Sequence, residues 1–382
     1  MLKLTTPPEL VRALEAEIAN VPVSLGKQVD ALSELFHLFT EDRDGLSRGS
    51  YLDIPKLRTA YLRYHLPLNV ARASWVLADV IRVQPKIADM RDVADLGAGL
   101  GSASLASLFG LPTDPERAFW LFDRSRAALK TARGLMERCA PKGSGRVVTK
   151  ELRLPVLPAF PRPSLVWLAM VLNEIDAGSR RDSPSQDLLG RLADRLPAGS
   201  VVLAMEPALR APGRKLLQLH DWALASGAWR VIAPCTHQLQ CPLLRLHDRP
   251  WCHFKLRWDA PKVVRDVAVP LRLDHTEPSL AYLALEKVSA GKPRERSEAT
   301  VRPMARVIGD PMPVETGRLG VYICVNGGRD VMEVKGRIER GDLVPVDAQL
   351  PTQAGSVQST KPGAKSGAHS SGGSSGRPPR KR

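Results

Sequence analysis

Cysteine is scarce in this chain, with five among 382 residues, and an odd number leaves no complete disulfide framework. The N-terminal stretch Met1-Leu2-Lys3-Leu4-Thr5-Thr6-Pro7-Pro8 also lacks the apolar core of a secretory signal. Together these absences predict a reducing, cytoplasmic setting, where thiolates serve metals rather than disulfides. No run of about 18 apolar residues occurs, which predicts no membrane-spanning helix and no membrane partner. Acids are in short supply as well: 40 Asp and Glu stand against 55 Lys and Arg, a net charge of +15. Such an excess favours a polyanionic partner, most often nucleic acid. Residues 352–382 hold six Lys or Arg and no acid, yet about +9 remains without them. The basic character is therefore not only an appendage. No internal repeat is present.

What the chain does have is apolar material, 43 % of it, enough for a large core and a length suited to two or three domains or sub-domains. Residues 1–88 read as an N-terminal helical region. Thr6 is expected to cap the first helix, with Pro7 at its first position and Glu9 three residues on. Apolar residues recur at helical spacing at Val11, Leu14 and Ile18, then at Val29, Leu32, Phe36 and Phe39, and again between Leu57 and Val83. At Val93 the period changes. Short apolar runs at Val93–Leu96, Ala118–Phe122, Leu165–Leu172, Ser200–Met205 and Trp229–Ala233 alternate with helical segments. That alternation predicts an α/β protein with a parallel, doubly wound sheet. Residues 89–233 form the expected cofactor domain, 234–272 a cysteine-rich insertion, and 273–350 C-terminal strands that complete the sheet and the metal site. Residues 351–382, rich in Gly, Ser, Pro and Lys, read as a disordered basic tail.

Two patterns carry chemistry. The first is Asp95-Leu96-Gly97-Ala98-Gly99-Leu100-Gly101, set between a strand and a helix. Glycines let the backbone turn sharply and approach a ligand with no Cβ in the way. The nicotinamide fingerprint would put its third glycine at position 102, which is Ser102. Here the third glycine comes one residue early and an acid precedes the first. The pattern resembles class I S-adenosylmethionine-dependent methyltransferases (Rossmann-like). That resemblance implies that Asp95, Gly97, Gly99 and Gly101 wrap the cofactor. It also implies that Asp123, ending the next strand, holds the ribose hydroxyls, with Asn173 at a neighbouring strand end. The bland reading is a glycine-rich turn in a fold that no longer binds.

The second pattern is cysteine spacing, C-x5-C-x10-C across Cys235, Cys241 and Cys252, with Cys324 following much later. Thiolates suit zinc and iron–sulfur clusters. Zinc fingers prefer closer pairs, and a [4Fe–4S] cluster takes four cysteines, so both metals stay open. His237, His247 and His253 lie nearby as further candidate ligands, each more often plain surface. Cys139 reads as a buried or free thiol. Arg245, Arg249, Trp251, His253, Phe254, Lys255, Arg257 and Trp258 interleave cations with aromatics, which suits RNA or an ordinary solvated rim.

Several segments together resemble the mitochondrial small-ribosomal-subunit methyltransferase-like assembly factor family, which has bacterial members. They are Tyr61-Leu62-Arg63-Tyr64-His65-Leu66-Pro67, the glycine loop, Val171-Leu172-Asn173-Glu174-Ile175, Glu206-Pro207, Pro234-Cys235 with His237, Cys241-Pro242-Leu243, Trp251-Cys252-His253-Phe254, and Ala305-Arg306-Val307-Ile308 followed by Cys324. The resemblance covers roughly residues 55–345. It implies a methyltransferase domain that binds S-adenosylmethionine and a [4Fe–4S] cluster held by Cys235, Cys241, Cys252 and Cys324, with zinc as the competitor. It also implies association with the small ribosomal subunit and its rRNA, in assembly or translation. A monomer is expected. No dedicated catalytic motif is visible, and an amino-methylating Asn-Pro-Pro-Tyr sequence is absent. Turnover therefore stays open between an active rRNA methyltransferase and an inert RNA-binding scaffold.

Overall fold

A computed structural model describes residues 3–21, 23–41, 49–177, 183–246, 250–289, 304–314, 318–334 and 336–346. The basic tail and His247 lie outside the described residues. Fifteen strands run in chain order among them: β1 (Leu4–Thr5), β2 (Asp92–Leu96), β3 (Ala118–Asp123), β4 (Arg146–Glu151), β5 (Ser164–Ala169), β6 (Val201–Pro207), β7 (Trp229–Ala233), β8 (Phe254–Lys255), β9 (Trp258–Asp259), β10 (Ser279–Lys287), β11 (Met304–Val307), β12 (Met312–Pro313), β13 (Leu319–Val325), β14 (Gly328–Glu333) and β15 (Leu343–Pro345).

The principal sheet has the order β4-β3-β2-β5-β6-β10-β7, with β8 added against β10. Strands β4, β3, β2, β5 and β6 are parallel. Strand β10 runs antiparallel to both β6 and β7. The sheet is thus mixed, where the apolar alternation had predicted parallel strands throughout. The reason is that periodicity reports burial, and β10 is as buried as its neighbours.

Successive side chains point to opposite faces, and the core divides accordingly. Val93, Phe119, Leu121, Leu165, Trp167 and Leu203 join the N-terminal helices and the helices Ser102–Gly110 and Arg126–Cys139 on one face. Ala94, Leu96, Phe122, Val166, Leu168 and Ala204 pack on the other against the helices Pro184–Arg195 and Arg210–Ser226.

The N-terminal region folds as the helices Pro8–Ala19, Leu25–Thr40, Pro55–Arg63 and His65–Val83. Thr6 does not cap the first of them. The cap position is Pro7, without a side-chain hydrogen bond, and the Thr6 hydroxyl instead accepts from Trp258 Nε1 at 3.2 Å. Tertiary packing of an indole outcompetes the local cap.

The late strands divide between two sheets. β10 belongs to the principal sheet, whereas β12, β13, β11 and β15, with β14 paired to β13, make a five-stranded antiparallel sheet with its own small core around Val307, Val321 and Ile323. In it Arg306 sits opposite Cys324. No helix among the described residues is long and apolar enough to cross a membrane.

Candidate functional site

The glycine loop follows β2, whose five residues are all buried. Gly97, Gly99 and Gly101 take φ of +77°, +51° and +82°, left-handed values that a side chain resists. Backbone N–H groups of Gly97 and Ala98 donate to the Phe122 carbonyl at 2.8 and 3.0 Å, and Gly99 N–H donates to Asp123 Oδ2 at 2.8 Å. The loop is thereby stitched to the end of β3. Asp123 Oδ1 accepts from Ser125 N–H at 2.8 Å, and burial raises the Asp123 carboxyl above its usual range despite these bonds.

Asp95 is placed differently from its neighbours. It is 1 % exposed, and its Oδ2 accepts both the backbone N–H (3.1 Å) and the hydroxyl (2.8 Å) of Ser104. Burial pushes its carboxyl up to about 6. Its part is to tie the strand to the first turn of the next helix, which fixes the loop between them. A Cβ on Gly97 would meet Val171 Cγ2 at 2.6 Å, so this glycine is required by the protein's own packing and not by ligand clearance alone.

Asp95, Gly97, Gly99 and Asp123 line one cavity of about 390 Å3. Gly101 lies behind it, against Ala132 and Leu121. Asn173 is not on this cavity; it lines a separate one of about 90 Å3 with Glu206, Asp176 and Lys215. The turn after β5 sends Met170, Val171 and Glu174 into the larger cavity instead. Met170 takes φ +62°, which ends the strand there, short of the apolar run that continues to Leu172. Glu206 Oε1 accepts Leu172 N–H at 3.0 Å. Burial raises the Glu206 carboxyl to about 8, and its Oε2 has no partner.

Sequence reasoning missed the far wall of the cavity, which the N-terminal region supplies through Tyr51, Tyr61 and Asn69. Asn69 Nδ2 donates to Tyr61 Oη at 3.2 Å, and Arg72 Nη1 donates to Asn69 Oδ1 at 3.0 Å. Burial drives the Tyr61 phenol up to about 12. Tyr61 stood inside a quoted motif, but nothing in the local pattern aims a helical tyrosine at a loop downstream.

The four tract cysteines converge. Cys235, Cys241, Cys252 and Cys324 line a single cavity of about 30 Å3, together with His220 and Arg306. Burial, and for most of them the neighbouring thiols, raise all four above the ordinary thiol range, Cys324 to about 12. Without a cation they are protonated. Among the described residues, no group of three or more His, Cys, Asp or Glu side chains is drawn into metal-holding geometry. The thiols therefore share a cavity without forming a closed ligand shell.

His237 is buried, with Nε2 3.4 Å from Cys324 Sγ while Nδ1 accepts Leu239 N–H at 3.2 Å. It faces a thiol as a donor and leaves no lone pair for a metal. His253 stacks on Trp251, with ring centroids 5.0 Å apart, and meets Arg340 Nη1 at 3.0 Å, outside the cavity. Cys139 is buried in the main core and does not line the four-cysteine cavity, and burial raises it to about 11. Trp258 and Phe254 are fully buried. The aromatic half of the tract thus belongs to the core, whereas Lys255 and Arg257 are half exposed and paired with Asp310 and Glu339.

Comparison with known proteins adds the following. The family described as mitochondrial small ribosomal subunit Rsm22 matches residues 56–343. No curated protein matches the chain. Among solved structures, a Pyrococcus horikoshii protein described as a candidate RNA methyltransferase shares 12 % identity at a TM-score of 0.34, over 58 % of this chain and 86 % of its own. A precorrin-6y C5,15-methyltransferase from Geobacter metallireducens shares 15 % identity at a TM-score of 0.32, over 57 % and 89 %. A ribosomal protein L11 methylase from Lactobacillus delbrueckii subsp. bulgaricus shares 12 % at 0.31, over 58 % and 79 %. The fold is α/β, with a mixed sheet.

Proposed function

Because the chain belongs to the Rsm22 family of the mitochondrial small ribosomal subunit, we propose that it binds S-adenosylmethionine and acts on the small ribosomal subunit through its rRNA. One observation carries the cofactor reading. Two left-handed glycines, Gly97 and Gly99, and the Asp123 carboxylate border a cavity of about 390 Å3 at the strand ends, where open α/β sheets bind ligands. Asp123 would accept the ribose hydroxyls, the loop backbone would pass along the cofactor, and Tyr51, Tyr61 and Glu174 would border its reactive end. The cofactor supplies an activated methyl group. The chain's contribution is alignment and exclusion of water, which is most of what such a transfer needs. The net charge of +15 suits an RNA partner.

The second reading concerns metal. The donor set of four thiols in one cavity, with no carboxylate among its lining residues, fits a soft metal. Cys235, Cys241, Cys252 and Cys324 would hold a [4Fe–4S] cluster or zinc, and binding would draw the ligand shell closed and release their protons. The group's contribution there is structural: it would join the loop after β7 to β13.

Calorimetric titration with S-adenosylmethionine, followed by transfer of a labelled methyl group to purified small subunits, tests the first reading. Binding in the micromolar range supports it; no heat at millimolar cofactor overturns it. Labelled rRNA would mark an active enzyme, and binding without label a scaffold. RNA affinity should also fall steeply with salt as phosphate counterions are released.

A further inference from the structure

Arg306 is 2 % exposed, and a buried guanidinium is costly unless its charge is used. Its hydrogen bonds are nearly all made. Nε donates to the Pro234 carbonyl at 2.9 Å, Nη1 to the Gly341 carbonyl at 2.7 Å and to Asp79 Oδ1 at 3.1 Å, and Nη2 lies 3.0 Å from Asp79 Oδ2. Two of these relations touch the cysteine cavity directly. Pro234 immediately precedes Cys235 in the chain, and Arg306 is the cross-strand partner of Cys324.

Arg306 is the one Lys or Arg side chain lining that cavity among the described residues; Asp79 does not line it. The Asp79 carboxylate also accepts from Tyr282, which lines the cavity, and from Arg82, which does not. Arg82 is half exposed, so its charge is largely screened, whereas Arg306 is not. Of this buried pair, the cationic member is therefore the one at the wall of the cysteine cavity.

Four thiolates around zinc, or around a [4Fe–4S] core in its oxidised resting state, leave a net double negative charge. Burying that charge in a low-dielectric cavity needs a fixed counter-charge. We propose that Arg306 is the built-in counter-cation of the four-cysteine centre, a positioning residue that sets the centre's metal affinity and, for a cluster, its reduction potential. This rests on the metal reading above. The same side chain anchors the backbone beside Cys235, and its own backbone pairs with that of Cys324, so charge and geometry arrive together.

The test uses the full chain, purified anaerobically, with Arg306→Gln, Arg306→Lys and Asp79→Asn. For a cluster, the midpoint potential is read by redox titration of the visible absorbance; for zinc, affinity is read by competition with a chromophoric chelator. Arg306→Gln should disfavour the reduced cluster about 10-fold, about 59 mV for one electron, or weaken zinc about 10-fold. Asp79→Asn removes the opposing charge and should shift either quantity the other way. Arg306→Lys keeps the charge but loses the fork, so melting temperature should fall while zinc affinity, or the reduction equilibrium, stays within about threefold of wild type, about 28 mV for one electron. A purely structural Arg306 would lower the melting temperature in both of its variants and move neither potential nor affinity in the metal they retain. Wild-type values in Arg306→Gln overturn the assignment. Should that variant not fold, an unshifted Asp79→Asn overturns it equally. A wild-type protein that holds neither iron nor zinc overturns the centre and this role with it.

Discussion

The Tyr51 hydroxyl donates to Glu174 Oε1 at 3.3 Å, joining residues 123 positions apart. Tyr51 opens a short 3-10 turn, Tyr51–Asp53, and Glu174 follows β5. Asp53 adds a second tie, accepting from the Ser125 hydroxyl at 2.5 Å. The N-terminal region thus closes over the cavity of the glycine loop from above. Burial, and then the Glu174 carboxylate, hold the Tyr51 phenol well above its usual value, so it remains a donor throughout the physiological range.

Removing that hydroxyl should loosen the closure. Tyr51→Phe keeps the ring against Phe39 and loses one hydrogen bond, a net contribution of about 1 kcal/mol. The expected result is about fivefold weaker S-adenosylmethionine binding by calorimetry, with faster release. Unchanged affinity would mean that the turn does not border the bound cofactor.

Gly97→Ala should destabilise the protein before any ligand is added. Its φ of +77° and the 2.6 Å approach to Val171 Cγ2 both oppose a Cβ, and strain of this kind costs on the order of 1–3 kcal/mol. Urea unfolding should show that loss. Adding Val171→Ala should restore the steric part only, leaving the backbone part. A fully stable single variant would contradict the loop conformation.

Glu206 predicts a pH dependence. Its carboxyl stands near 8 in the folded protein because burial disfavours the charge, well above the value of an unfolded chain. Between those two values the folded protein keeps a proton that the unfolded chain has lost, so stability falls as pH rises from about 4.5 to 8. The Glu206 share of that decline is on the order of a few kcal/mol. Glu206→Gln should flatten it, as read from chemical unfolding at several pH values. An unchanged slope would assign the decline to other groups.

Serine at Cys235, Cys241, Cys252 or Cys324 should remove most of the bound metal and lower the melting temperature, since metal-binding energy is folding energy. Cys139→Ala should leave metal content untouched, because that thiol does not line the cavity of the other four. Anaerobic metal analysis distinguishes iron with sulfide from stoichiometric zinc. All five thiols reacting freely in the native protein would remove the site.

What the sequence by itself determined was whatever local chemistry dictates. Val93–Leu96 had to be a buried strand, and the three glycines had to turn the chain, because those demands are met within a few residues. The cysteine spacing likewise announced a shared site. Only the tertiary structure decided the rest. Nothing local could reverse β10, separate β11 and β13 from the principal sheet, or turn Asn173 away while bringing Tyr51 and Tyr61 in. Nor could the sequence show that Arg306 would be buried beside Cys324. Each of these depends on contacts between residues far apart in the chain, and their energies come from burial and charge compensation that exist only once the sheets have assembled.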